Sequence, residues 1–239
     1  METSSKHVLI SGASGGLGMA IAKQLLLEGN NVVLLANKNS ARLNQLKKDF
    51  PENVKLIEAD LTVENNWENL ADRIGNVDVL VNAIGVSSAG MSWKIPTEEW
   101  RRVFQLNVDV PFRLAQLVIP TMREQKFGRI IFFSSVVAQK GILGTSAYAA
   151  SKSALIGLTR TMSVELISSK ITVNCIAPGY MEAGMINELT HDFKEKIILQ
   201  IPAGGLGSTQ NICNAVSFLA NEKSDYITGQ VISLNGGMT

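Results

Sequence analysis

No apolar run in this sequence reaches the ~18 residues that a membrane-spanning helix requires. The opening METSSKH lacks the apolar core of a secretion signal. Cysteine is scarce: Cys175 and Cys213 match neither metal-ligand spacing nor a redox CxxC pair. Cys175 lies inside the apolar segment ITVNCIA, which predicts a buried free thiol and fits a reducing cytoplasm. Neither sign of charge dominates. The 22 Lys and Arg against 21 Asp and Glu leave a formal charge of +1, so nothing draws the chain globally to nucleic acid or an anionic membrane. The run MREQKFGR (122–129) concentrates Arg123, Lys126 and Arg129 and reads as a solvated face. His7 and His191 stand alone, without a partner at triad or ligand spacing, and receive no role.

What is present points to a packed α/β domain. A hydrophobic fraction of 46% with 18% charged residues can bury a sizeable core. Seven short runs are rich in Val, Ile and Leu: HVLIS (7–11), NVVLLA (31–36), VKLIEA (54–59), VDVLVNA (77–83), GRIIFFSS (128–135), ITVNCIA (171–177) and QVISLN (230–235). They alternate little with polar residues, as strands buried on both faces of a parallel sheet do. Helical patterns fall near 17–28, 40–49, 63–74, 97–126, 147–168 and 209–221. Pro111 and Pro120 should bend or divide the 97–126 segment. Strands alternating with helices imply right-handed crossovers and a doubly wound sheet of seven mainly parallel strands, helices on both faces, in one domain over 1–239. The stretch 178–208 has no clear strand and reads as a lid or binding loop, with a substrate loop at about 180–208.

LISGASGGLG (9–18) joins the first strand to the first helix. Gly12, Gly16 and Gly18 let the backbone bend sharply and approach a ligand. The helix that follows offers unpaired N–H groups and a positive dipole end to a pyrophosphate. An acid at the end of the second strand would bind a ribose 2′-hydroxyl and repel a 2′-phosphate. Here Asn37 and Lys38 stand in its place. Asp60 ends the third strand, within reach of an adenine amine, and Gly85 closes VNAIG at the carboxyl edge of the fourth.

SAYAASK (146–152) places Tyr148 and Lys152 on one face of a helix. A nearby ammonium favours phenolate and should lower a phenol pKa that starts near ~10. Such a phenol can give a proton to a carbonyl oxygen or take one from an alcohol. Ser135, leaving the end of a central strand, can hydrogen-bond the same oxygen. Ser134 precedes it by one residue and should point to the opposite side.

Taken in order, these motifs resemble the classical short-chain dehydrogenase/reductase family over essentially the whole chain: the glycine turn, Asp60, NAIG (82–85), LNV (106–108), FFSS (132–135), YAASK (148–152) and APG (177–179). The resemblance implies a Rossmann-type fold and a catalytic tetrad of Asn107, Ser135, Tyr148 and Lys152, Ser135 standing at the family's usual offset before the tyrosine. It further implies a nucleotide site built from Gly12, Ser14, Gly15, Gly16, Leu17, Gly18, Asn37, Lys38, Asp60, Leu61, Asn82, Ala83, Ile84, Gly85, Tyr148, Lys152, Pro178, Gly179 and Met181, with no metal. Lys152 would also hold the nicotinamide ribose, and Asn107 would support a water chain that feeds protons. Ala83, Gly15, Ala183 and Gly205 depart from residues common in relatives.

Within the family, FSSVVAQKG, SKSALIGLTRTMSVEL, ITVNCIAPGYME and YITGQVISLNGGM look most like β-ketoacyl-(acyl carrier protein) reductases. That likeness implies an NADPH/NADP-dependent ketoreductase, with NADH less favoured, acting on a 3-oxoacyl thioester. An acidic acyl carrier protein would dock near the catalytic mouth through Lys126, the companion position being Ser169 beside Lys170. The expected assembly is a cytoplasmic homotetramer formed through the long helices and the last strand. The same chemistry on a free small ketone, alcohol or sugar is the alternative. A nucleotide sensor without turnover would be expected to carry a broken tetrad, and the tetrad residues are all present.

Overall fold

The apolar runs pack side by side, and every pairing between them is parallel. The structure is a computed structural model, which describes residues 5–184, 186 and 190–239, without the side chain of Phe193. The strands are β1 (His7–Ser11), β2 (Asn31–Ala36), β3 (Val54–Glu58), β4 (Val79–Asn82), β5 (Gly128–Phe133), β6 (Ile171–Pro178) and β7 (Val231–Leu234). Their order in the sheet is β3-β2-β1-β4-β5-β6-β7. The winding reverses between β1 and β4, and ligands of such sheets bind in the crevice that opens at the carboxyl ends there.

Successive residues of each strand face opposite sides, and both sides are covered. Val8, Ile10, Leu34 and Val81 pack on Ile21 and Leu25 of α1 (Gly16–Leu27) and Ile212 and Val216 of α8 (Thr209–Ala220). Leu9, Leu35, Leu80 and Phe132 face Leu114 of α5 (Val110–Glu124) and Leu155 of α6 (Ser146–Leu166). Burying each such side chain contributes about 1.5–3 kcal/mol. The strands need apolar residues on both faces, which is why their sequences do not alternate.

The segment expected to break at two prolines does so once. After α2 (Ala41–Asp49) and α3 (Leu70–Ile74), α4 (Thr97–Phe104) runs into a π-helical turn, Gln105–Asp109, and then α5. Pro111 cannot donate to the carbonyl of Asn107, four residues back, and its ring crowds that oxygen; a widened turn relieves both. Pro120 lies inside α5 without dividing it.

The region expected as an open loop also differs. It contains α7 (His191–Ile198), which the sequence marks only as a polar helical stretch. Residues 185 and 187–189 of that region lie outside the described residues. Ile186, Ile197 and Ile201 form a small separate core with Val136 and Met238. The end of the chain supports it: Ala203 N–H donates to Gly236 O at 2.9 Å, and a Cβ on Gly236 would lie 2.8 Å from Ile201.

The basic run 122–129 is not uniformly solvated either. Lys126 is exposed, but Arg129 is 2% exposed, and its guanidinium donates to the carbonyls of Gly128, Lys170, Asn221 and Glu222. It also lies over the Phe127 ring. Arg129 therefore ties the amino ends of β5 and β6 to the end of α8.

Candidate active site

Gly12 has φ +70, and a Cβ there would lie 2.7 Å from the backbone of Ile84. The turn after β1 thus presses against the end of β4 at the sheet's switch point. On Gly18 a Cβ would meet Gly12 O at 2.4 Å, so the first turn of α1 packs directly on the loop. Gly15 caps α1 without a side chain, and no acid occupies the first turn. The leading N–H groups of α1 therefore have no side-chain acceptor and a positive dipole end faces the crevice. A Cβ on Gly16 would lie 2.9 Å from Gly184 N and 3.1 Å from Ala183, so the segment after β6 forms the opposite wall.

Farther along the edge, the Asp60 carboxylate accepts from the Thr62 hydroxyl at 2.6 Å and the Thr62 N–H at 3.0 Å. Those bonds, with help from the charge of Lys38, hold it below the usual carboxylate range. Both contacts fall on Oδ1, leaving Oδ2 for a ligand. Asn37 and Lys38 are exposed beyond β2. Asn82 is buried and joins the Ser11 hydroxyl to the Pro111 carbonyl, tying β1, β4 and α5 together beneath the crevice. A nucleotide's phosphates fit this chain of small residues, free amides and one cation.

The tetrad residues gather at the carboxyl ends of β4 and β5. Ser135 leaves β5 close enough to Tyr148 for its hydroxyl to pull the phenol's titration down. Ser134 turns the other way and donates to Lys152 O at 2.8 Å, fixing α6 against the strand. Asn107 is fully buried on the π turn. Its Oδ1 accepts from Val86 N–H at 2.8 Å, while Nδ2 donates to Val86 O and to the Ser151 hydroxyl. It thereby holds the segment after β4 to α6. Lys152 is 3% exposed, donates from Nζ to Phe133 O at 2.7 Å, and would touch a Cβ on Gly85 at 3.0 Å.

The electrostatics depart from the sequence expectation. Burial pushes the Tyr148 phenol up, and the Ser135 hydroxyl pulls only partly against it. The Lys152 ammonium lies 5.8 Å from the ring centroid and donates to the Phe133 carbonyl. Burial also lowers Lys152 itself to about 8. The phenol is therefore held neutral, able to donate a proton, above a lysine that loses its charge on the alkaline side of neutrality.

A family model described as enoyl-(acyl carrier protein) reductase matches residues 12–239. The chain belongs to the short-chain dehydrogenase/reductase family. A 3-oxoacyl-[acyl-carrier-protein] reductase of Rickettsia bellii is 37% identical over all of this chain and 98% of its own length. That of Escherichia coli (strain K12) is also 37% identical, covering 99% of the relative. Among solved structures, a provisionally assigned gluconate dehydrogenase from Agrobacterium tumefaciens superposes with a TM-score of 0.90 at 27% identity, over 98% of this chain and 95% of its own. A provisionally assigned β-ketoacyl-ACP reductase superposes with a TM-score of 0.87, also at 27% identity, over 97% of both chains. The comparisons agree on an oxidoreductase of this family and differ in the substrates their names carry.

Within this short-chain reductase, Lys126 stands at the other end of a strand from Ser135 of the same protomer. It precedes β5 at the amino edge, whereas Ser135 follows the same strand at the carboxyl edge. The strand between them is six residues, a span of about 17 Å. Lys126 does not flank this chain's own tetrad, and Lys170 enters β6 from the same far edge. Of the family departures, Gly205 faces open space, and Ala183 packs at Gly16. Partners of the tetrad missed from sequence include the Phe133 carbonyl, Ser151, Val86 and the Val137 N–H. Backbone acceptors carry no sequence signal. Ser151 had one, since it lies inside YAASK itself.

Proposed function

We propose that this enzyme reduces the ketone of a 3-oxoacyl thioester, delivered on an acyl carrier protein, to the 3-hydroxy thioester, with NADPH preferred over NADH. The observation that carries the reading is the neutral Tyr148 phenol beside the Ser135 hydroxyl at the carboxyl edge of the sheet, next to the glycine cradle. The full-length relatives named above support the substrate class.

Gly12, Ser14, Gly15, Gly16, Leu17 and Gly18 would hold the pyrophosphate against the start of α1. Asp60 and Leu61 would meet the adenine, and Asn37 and Lys38 the 2′-phosphate. Asn82, Ala83, Ile84 and Gly85 would line the middle of the nucleotide, and Pro178, Gly179 and Met181 its nicotinamide end. When bound, the reduced nucleotide supplies a hydride to the carbonyl carbon. Ser135 fixes the carbonyl oxygen by a hydrogen bond, and Tyr148 gives it a proton. Lys152 orients the ribose and sets a positive charge under the phenol as its proton leaves. Asn107 keeps the Gly85–Val86 segment and α6 in register, so the carbonyl meets both hydroxyls in one pose. Assembly as a homotetramer in the cytoplasm belongs to the same reading.

The test is a panel of carrier-bound and free 3-oxoacyl thioesters, small ketones and sugars, followed by nucleotide absorbance at 340 nm with NADPH and NADH. The expected result is highest kcat/KM on the carrier-bound thioester with NADPH. A single exposed lysine contact corresponds to a preference of about ten- to a hundredfold, and Lys38→Ala should shrink it. The structural likeness to a gluconate dehydrogenase favours a second reading, a free polyol or sugar acid as substrate. Turnover of those compounds alone would establish it instead.

A further inference from the structure

The loop after β3, which the proposed nucleotide site assigns to the adenine, has three successive carbonyls each taken by a side chain. Asn66 Nδ2 donates to Asp60 O at 2.8 Å, and the Trp67 indole N–H donates to Leu61 O at 3.1 Å. Both donors come from the turn Glu64–Trp67 that follows directly. The third comes from far away in sequence: Gln105 Nε2 donates to Thr62 O at 3.1 Å, across 43 residues of chain.

Gln105 is the first residue of the π turn that carries Asn107. Its carbonyl accepts from Val110 N–H, the widened bond that closes the turn around Asn107. From Asn107 the bonding continues. Its Nδ2 donates to the Ser151 hydroxyl at 3.0 Å, and that hydroxyl donates to Tyr148 O at 2.8 Å. A hydrogen-bonded line thus runs from the adenine loop, through one side chain and one turn, to the main chain of Tyr148.

A second tie joins the same two regions. Arg113 of α5 makes two bonds of 2.7 Å to the Glu64 carboxylate and lies 4.0 Å from the Trp67 ring centroid. Glu64 is 78% exposed, so water and salt screen that pair. Gln105 is half-buried and its bond is between neutral groups, which salt does not weaken. Gln105 is therefore the tie that sets the turn.

We propose that Gln105 is a positioning residue that registers the Asn107 turn on the adenine loop, so that the adenosine half of the nucleotide raises the rate of reduction as well as securing binding. The inference rests on the nucleotide site proposed above. Binding energy from a remote part of a ligand can be realised at the reacting centre as orientation, and its loss then shows in kcat. The adenine orders residues 60–62, Gln105 carries that order to the π turn, and Asn107 holds Ser151, and through it Tyr148, in the reacting pose.

The experiment divides the nucleotide. Reduced nicotinamide mononucleotide serves as hydride donor to the most rapidly reduced free substrate of the panel above, and adenosine 2′,5′-bisphosphate is added as the separate adenine half. In wild type the bisphosphate should raise kcat by about tenfold. It should also slow hydrogen exchange at the Val86 amide, which donates to Asn107 Oδ1. Gln105→Met and, at neutral pH, Gln105→Glu keep the length of the side chain and remove its N–H donor. Both should bind the bisphosphate in calorimetry within about threefold of wild type, yet show neither activation nor protection of Val86. With NADPH they should lose kcat by about tenfold at nearly unchanged KM. Arg113→Ala should keep the activation. Wild-type binding of the bisphosphate without activation, activation that survives removal of the Gln105 donor, or activation lost in Arg113→Ala would each overturn the role of Gln105. A bisphosphate that does not bind wild type would overturn the nucleotide site itself and the coupling with it, which separates the two failures.

Discussion

Among the described residues two cations are buried, at opposite edges of one sheet, and they are used differently. Lys152 at the carboxyl edge donates to one acceptor among the described residues, the Phe133 carbonyl, and burial brings it down to about 8. Arg129 at the amino edge donates to four carbonyls and packs on Phe127. Burial lowers it too, but from so high a starting value that it stays charged. A lysine is a point charge that can be given up; an arginine is a fixed fork that distributes one charge among several acceptors. The carboxyl edge is adjustable in charge and the amino edge is fastened.

The comparison can be broken most severely at the adjustable edge. Tyr148→Phe removes the proposed proton donor while leaving Lys152 and its carbonyl in place, so turnover should fall by roughly 10²–10⁴-fold. Circular dichroism and nucleotide binding should match wild type. Retained turnover would mean that the proton comes from elsewhere.

At the fastened edge the loss should be in stability. Arg129→Met keeps the apolar stem but leaves buried carbonyls without their donor, at a cost of about 2–4 kcal/mol in urea unfolding. Catalysis by the folded fraction should be unchanged, because the tetrad is a strand's length away. A fall in kcat at full occupancy of the native state would show that the two edges are coupled.

The smallest effect is graded with pH. In the proposed carbonyl reduction Tyr148 is to be protonated and Lys152 charged. Burial raises the phenol, so it keeps its proton on the alkaline side, while Lys152 titrates near about 8. The ammonium fraction therefore falls above that value, and kcat/KM should be level around neutrality and decline by up to about tenfold per pH unit beyond it. A profile that stays flat well above pH 8 would contradict the weakly held lysine. Arg129 should contribute nothing to this limb.

The sheet was legible because burial on both faces forces continuous Val, Ile and Leu, and HVLIS or ITVNCIA admits few other placements. The residues of the tetrad were legible because helix and strand periodicity set which side chains share a face. What they do to one another was not. Whether Lys152 acts on the phenol or on Phe133 O depends on a contact 19 residues away, and spacing carries no such information. Arg129 was misread for a similar reason, since its acceptors lie up to 93 residues distant and are all backbone. The short helix α7 reads from sequence only as a polar helical stretch because Ile197 meets its partners, Val136 and Met238, only in the fold.

That small core has a practical side. The last residues of the chain support the 178–208 segment, through Gly236 against Ile201 and Met238 within the same cluster. A purification tag fused after Thr239 would be a graft beside that core. The first described residues enter beside Glu222 at the amino edge of the sheet, so an amino-terminal tag would hang from the fastened side, a strand's length from the tetrad.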